Sequence, residues 1–365
     1  MKRIVVKIGS NILTGENGGL DMDRVKFIAD DVALVQNRGH EVVIVSSGAV
    51  AAGMKKLDLK EKPKDIILKQ AAAAVGQSSL IWAYEKCFGV HSKKVAQILL
   101  TRDDFSDRKR YINSRNTLIA LLSRGIVPII NENDTVATDE IRFGDNDHLA
   151  SLVAGLIGAE RFIILSDVDG LFSEDPRRNP DAKLIGVVEE ITSELEDRAG
   201  GAGTMVGTGG MYSKVLAAKR AVNNGITVNI INGRRRGAVS SLLQGMKEGT
   251  EFRVRKSRMS SRKGWIAHCC RSRGSISLDD GAVNALVSGG KSLLPSGIVS
   301  VSGRFESGDA VYCLDSRGKR IASGLVNYSS AEIEQIKGKK TTEIENLLGY
   351  RYSDEVIHRD NLVLL

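Results

Sequence analysis

From residue 2 to about 233, short apolar runs alternate with segments whose apolar residues recur every three or four positions. Residues 4–8 and 41–45 read as the first two strands, and 95–100, 126–130, 161–165 and 227–231 supply four more. Between the first two, Asp21 is placed to cap a helix running to Arg38. Its Val25, Ile28, Val32 and Val35 share one face, and Gly39 stops it. Two helical stretches follow the second strand, the later one with Pro63 in its first turn. Further helices are expected over 111–124, 147–157 and 211–224, with Gly125 and Gly225 as stops. Strands alternating with helices in this way predict an α/β domain with a mainly parallel central sheet between helices.

Beyond about residue 265 the texture changes. Short β-rich runs at 298–302, 310–314 and 321–326 are separated by Ser-Gly, Arg-Gly and Asp-Gly turn signals, as in a small β-barrel. The expected organisation is therefore a first domain over 1–250, a linker over 251–264 and a second domain over 265–365.

The chain is 365 residues long, which suits two domains. The uncharged run over residues 42–54 is interrupted by Ser46, Ser47, Gly48 and Gly53, and no uncharged run reaches the ~18 apolar residues a membrane span requires. Lys7 likewise breaks what would have to be a signal-peptide apolar region. Cys87, Cys269, Cys270 and Cys313 form no C-x-x-C pair, and the five histidines lack metal-ligand spacing. A cytoplasmic, non-membrane protein is expected.

The net charge of +8 is not spread along the chain. Residues 1–233 carry 30 Lys and Arg against 30 Asp and Glu, and residues 265–365 carry 12 against 12. Residues 234–264 carry ten basic residues against two acidic ones. The whole excess sits in that joint. Such a strip can neutralise phosphates, so RNA enters as a partner class on charge alone. Only Phe252 and Trp265 offer aromatic faces nearby, which is poor support for stacking on bases.

Ligands of parallel sheets gather at the carboxyl ends of the strands, where helix N-termini present free N–H groups. Several polar or Gly-rich loops fall there. They are residues 7–10, 46–49, 131–134, 143–147, 166–170 and 207–214. Gly207, Gly209 and Gly210 precede a helix carrying Lys214 in its first turns, so backbone donors and an ammonium can meet one phosphate chain. The spacing is neither that of a Walker loop nor of a dinucleotide fingerprint, and the protein-kinase motif set is absent.

The segments KIGSNIL, VSSGAVAAG, KQAAAAVGQ, NENDTVATDEIRFGDND, SDVDGLFSEDP and GTGGMYSK, in this order and spacing, resemble the glutamate 5-kinases of the amino acid kinase family. The tail, including SSLLPSGIVSVSGRFESGDAV, is similar to the PUA domain fused to many bacterial members. The resemblance implies an amino acid kinase fold with a small β-barrel-like PUA domain. It also implies ATP-dependent phosphorylation of the side-chain carboxylate of L-glutamate, which opens proline synthesis. A carboxylate with a pKa of about 4.3 is already ionised at neutral pH, so no general base is called for. Cationic clamping and positioning are.

Carried over residue by residue, the resemblance makes Lys7 and Lys214 the cations that neutralise the transferring phosphoryl group. Asp147 orients both. Ser47, Asp134 and Asn146 match the glutamate positions, with Gly48 and Ala49 adding backbone donors. Ser166 and Asp167, together with Thr208, Gly209, Gly210, Met211, Tyr212, Ser213 and Lys214, match the ATP positions, with Lys7 shared. The family usually has Thr where Ser166 and Ser213 stand, and both keep the hydroxyl. Mg²⁺ is expected as the ATP complex, held by phosphate oxygens and waters. No protein metal ligand is expected, and Asp145 is the nearest outer-shell candidate. The resemblance also implies inhibition by proline, overlapping the glutamate pocket and sensed through the 134–147 loop. A homo-oligomer, dimer or tetramer, and hand-over of the labile product to a glutamyl phosphate reductase are implied as partners. Two readings stand beside this one: an RNA-binding protein acting through its tail, and a kinase of acetylglutamate, aspartate or a nucleotide.

Overall fold

A computed structural model describes residues 2–15, 18–61, 63–136, 146–176, 179–200, 210–254 and 272–365. The chain divides into two compact units: the described part of the first ends at Val254, and the second comprises residues 105–108 together with the described residues from Ser272 onward.

The first unit is built on an eight-stranded sheet. Its strands, in chain order, are β1 (Arg3–Ile8), β2 (Glu41–Ser46), β3 (Val95–Leu100), β4 (Val127–Glu132), β5 (Arg161–Ser166), β6 (Val187–Val188), β7 (Thr227–Asn232) and β8 (Thr250–Phe252). They lie in the spatial order β3-β4-β2-β1-β5-β7-β8-β6. The pairings from β3 across to β7 are all parallel, and β8 runs antiparallel to β7. The central strands are apolar almost throughout because helices cover both faces. From β1 the chain passes first to β2 on one side and later to β5 on the other. That switch point opens a crevice at the carboxyl ends of β1 and β5.

The helices that shape this crevice begin where local chemistry starts them. Asp21 accepts from the N–H groups of Asp23 and Arg24 and so opens helix Met22–Asn37. The long helix Ile66–Gly89 opens not at Pro63 but after Asp65, whose carboxylate accepts from Leu68 N at 2.8 Å. A side-chain cap fixes the start more firmly than a proline merely compatible with it. Helix Arg108–Leu122 starts earlier than its apolar pattern suggests, and the chain leaves it through a turn with Gly125 at φ +68°. The edge strands β6 and β8 have two and three residues, too few for any periodic signal.

Gly48, at φ +103°, turns the chain from β2 into helix Ala49–Lys56, a conformation that favours glycine. That helix lies directly on helix Ile66–Gly89. A Cβ on Gly53 would fall 1.7 Å from the Ala72 carbonyl oxygen, and one on Gly76 would fall 1.8 Å from that of Ala49.

The second unit carries a five-stranded sheet made of β9 (Ser272–Leu278), β10 (Ile298–Gly303), β11 (Ala310–Leu314), β12 (Arg320–Leu325) and β13 (Leu362–Leu364). The order is β10-β9-β11-β12-β13, with only the central β9–β11 pair parallel. Ile276, Val311, Tyr328 and Ile357 centre its own core. Helix Ser330–Ile336 starts with a reciprocal pair between Ser329 and Glu332.

Candidate active site

Lys7 lies within β1, in register with Val45 of β2 and Ile164 of β5, and is buried. A buried ammonium is costly unless paired. Its partner is Asp147, fully buried in the first turn of helix Asn146–Ile157, with Oδ1 2.5 Å from Lys7 Nζ. Lys214 reaches the same carboxylate from helix Met211–Asn223, its Nζ 3.3 Å from Oδ2. The Ser213 hydroxyl also donates to Oδ2, at 3.0 Å. Residues 140 and 207 positions downstream of Lys7 thus converge on it through two packed helices.

Burial alone would raise the pKa of Asp147. The ammonium groups of Lys7 and Lys214 outweigh burial, Ser213 adds to them, and the carboxyl is held below the ordinary carboxylate range. Asp147 is therefore a fixed anion that holds two cations side by side. It is poorly suited to accept a proton near neutral pH.

Asn146, next to Asp147, faces the other way. Its Nδ2 lies 3.0 Å from the Ser46 carbonyl oxygen, 3.0 Å from Ser47 Oγ and 2.9 Å from Asn131 Oδ1. Asn131 Nδ2 donates in turn to Gln77 Oε1 at 2.9 Å. Beneath them the buried Tyr84 hydroxyl meets Ser46 Oγ at 2.9 Å, and burial pushes that phenol up. Asp134 stands in the turn that follows β4, near Asn131 in sequence. No side chain caps helix Ala49–Lys56, so its first N–H groups remain available as donors next to Ser47.

On the other side of β1, Ser166 ends β5 and Asp167 follows it. Ser166 Oγ lies 3.4 Å from Asp167 Oδ1, and Asn11 donates to Asp167 Oδ2 at 2.9 Å. Burial opposes ionisation of Asp167, but the Asn11 bond, its own backbone, Ser166 and the Lys214 charge lower its pKa. Gly210, Met211 and Tyr212 lead into helix Met211–Asn223, whose N-terminus also has no side-chain cap. Thr208, Gly209 and Asp145 lie outside the described residues.

The structure thus brings Lys7, Asp147 and Lys214 together at the centre of the crevice. Ser47 and Asn146 lie on the β2–β4 side, and Ser166 and Asp167 on the β5 side. Gln77, Asn131, Ser46, Tyr84 and Asn11 received no role from the sequence. Gln77 and Asn131 nevertheless lie within the segments that carry the family resemblance. Among the described residues no group of three or more His, Cys, Asp or Glu is placed to hold a metal ion. No helix among them is long and apolar enough to cross a membrane.

Several basic residues of the 234–264 strip are engaged within the first unit. Arg235 pairs with Asp169 at 2.9 Å, and Arg253 pairs with Glu189 at 2.8 Å and Glu251 at 3.0 Å. Arg236 lies 3.8 Å above the Phe27 ring. Arg255, Lys256, Arg258, Arg262 and Lys263 of the strip lie outside the described residues.

Residues 2–232 match the family model of the amino acid kinase family, and residues 274–348 match that of the PUA domain. The glutamate 5-kinase of Caldanaerobacter subterraneus subsp. tengcongensis is 54% identical over 363 residues, covering 100% of this chain and 98% of the relative. That of Geobacter sp. (strain M21) is 52% identical over 365 residues, with the same coverage of each. Among solved structures, the UMP kinase of Bacillus anthracis is 15% identical with a TM-score of 0.50, covering 70% of this chain and 97% of that one. This last likeness is one of fold.

Proposed function

The chain belongs to the glutamate 5-kinase branch of the amino acid kinase family, and from that premise we infer that it moves the γ-phosphoryl of ATP onto the side-chain carboxylate of L-glutamate. The product is L-glutamyl 5-phosphate, the first intermediate of proline synthesis. The observation that carries this reading is the buried cluster in which Lys7 and Lys214 are held on one carboxylate, that of Asp147.

An anionic nucleophile approaching a polyanionic donor needs charge neutralisation above all. Lys7 and Lys214 supply it from two directions, and Asp147 keeps both ammoniums fixed so that no reorganisation is needed during transfer. The nucleophile is ionised already, so the low pKa of Asp147 is no defect. Glutamate lies on the β2–β4 side, with Ser47 donating to a carboxylate and Asp134 accepting from its ammonium, while Asn146, whose amide N–H groups are held by Ser46, Ser47 and Asn131, offers Oδ1 as a further acceptor for that ammonium. ATP lies on the β5 side, its phosphates over Gly210 and the N-terminus of helix Met211–Asn223, with Ser166, Asp167, Met211, Tyr212 and Ser213 around it. Bound with the nucleotide, Mg²⁺ would supply further charge neutralisation, and no residue of this chain is assigned to hold it.

Proline would inhibit by occupying the glutamate pocket. A homo-oligomer is supported by the apolar surface of helix Ile66–Gly89, where Ile67 is 75% and Trp82 55% exposed, beside the edge strand β3. Hand-over to a reductase follows from the lability of an acyl phosphate.

The test is a side-by-side assay of L-glutamate, acetylglutamate, aspartate and UMP with Mg-ATP, hydroxylamine trapping any acyl phosphate. L-Glutamate alone should give strong hydroxamate and ADP release. Preference for another acceptor would overturn the reading.

A further inference from the structure

Three carboxamides stand in line, from helix Asn146–Ile157 through β4 to helix Ile66–Gly89. One end of the line is fixed by the main chain. The Ser46 carbonyl can only accept, so the Asn146 atom 3.0 Å from it is the amide nitrogen. That nitrogen faces Asn131 Oδ1, which turns Asn131 Nδ2 toward Gln77. Gln77 must therefore present Oε1 to Asn131, and its Nε2 ends the line. This Nε2 is buried without a hydrogen-bond partner, in a residue only 8% exposed. A buried NH₂ group with no acceptor is costly, and native proteins retain few of them.

The position of Gln77 places this amide close to the acceptor side of the crevice. The preceding residue, Gly76, lies so close to Ala49 that a Cβ would fall 1.8 Å from the Ala49 carbonyl oxygen. Gln77 thus neighbours the uncapped start of helix Ala49–Lys56, two residues beyond Ser47. Lys7 and Asp147 stand at the opposite end of the line, past Asn146.

Resting on the activity proposed above, we propose that Gln77 is a specificity-determining residue of the acceptor site, its Nε2 donating to the substrate carboxylate remote from phosphoryl transfer. For L-glutamate that is the α-carboxylate, since the side-chain carboxylate must face the two lysines. The amide does two jobs. Oε1 orients Asn131, and Nε2 selects an acceptor on the substrate.

Gln77→Glu separates these jobs. A carboxylate oxygen still accepts from Asn131, but no donor remains for the α-carboxylate and a like charge faces it. The probe pair is L-glutamate and L-isoglutamine, whose α-carboxyl is an amide while its side-chain carboxylate is free. In the full-length protein, Gln77→Glu should raise KM for L-glutamate by about tenfold or more, with KM for ATP nearly unchanged. The kcat/KM ratio of isoglutamine to glutamate should rise by at least the same factor, because the amide now donates to the new carboxylate. Gln77→Leu should weaken glutamate without that gain. The ratio is measured within one variant, so a smaller folded fraction cancels. An unchanged ratio in Gln77→Glu overturns the proposal and leaves Gln77 only the task of holding Asn131. Failure of the unaltered protein to phosphorylate glutamate would instead contradict the activity itself.

Discussion

Two ammonium groups sharing one buried carboxylate make strong demands on single residues. Lys214→Ala should lower kcat by a factor on the order of 10²–10³ with KM for glutamate nearly unchanged, as for removal of a group acting on transition-state charge. Steady-state kinetics with both substrates varied would check it, and an unchanged kcat would refute the role. Asp147→Asn leaves Lys7 and Lys214 facing each other without their anion. Urea unfolding should show a loss of about 3–5 kcal/mol, the usual cost of an uncompensated buried charge. The pH dependence follows from the depressed carboxyl. A group with a lowered folded pKa adds stability above its unfolded value of about 3.9 and loses it as pH falls through the folded one. Titration of Asp147 should therefore leave the kcat/KM profile flat between about pH 5 and 8, and an acid limb in that range that Asp147→Asn removes would contradict the depressed carboxyl. Lys7, Asp147 and Lys214 were legible in the sequence because each sits in a segment of recognisable order and spacing. The Gln77–Asn131–Asn146 line was not, because an amide shows nothing of its partner when that partner lies 54 residues away.

At the scale of elements, the crossing of helix Ala49–Lys56 on helix Ile66–Gly89 sets the position of Ser47. Gly76→Ala would put a methyl 1.8 Å from the Ala49 carbonyl oxygen and force the helices apart. The expected cost is about 1–3 kcal/mol of stability, as for other overpacked contacts. KM for glutamate should rise while KM for ATP stays near its original value, because only the β2 side of the crevice shifts. Thermal unfolding alongside the two KM values would check this, and equal rises in both would contradict it. The sequence showed the central strands and most long helices, since apolar runs and helical periods survive in any context. It missed the start at Asp65, where a cap overrode the proline signal. It missed β6 and β8 because pairing, rather than local pattern, makes strands of two or three residues.

For the whole molecule, the placement of charge and apolar surface matters more than their totals. The basic excess confined to residues 234–264 reads from sequence as a polyanion strip; of its described residues, Arg235, Arg236 and Arg253 also make contacts within the first unit. Those contacts join residues far apart in the chain and leave no local trace. The exposed Ile67 and Trp82 lead to a different expectation, association between copies of the chain. Ile67→Glu combined with Trp82→Glu should reduce the sedimenting mass of the protein, and an unchanged mass would place any interface elsewhere. The central claim is that two fixed cations flank the migrating phosphoryl while an unassisted carboxylate attacks. The most direct test is a crystal structure with ADP, L-glutamate and a planar metal-fluoride mimic of the transferring group. Both Lys7 Nζ and Lys214 Nζ should lie within about 3 Å of the fluorides, the range of charge-assisted contacts. Either ammonium turned away from the mimic would contradict the account.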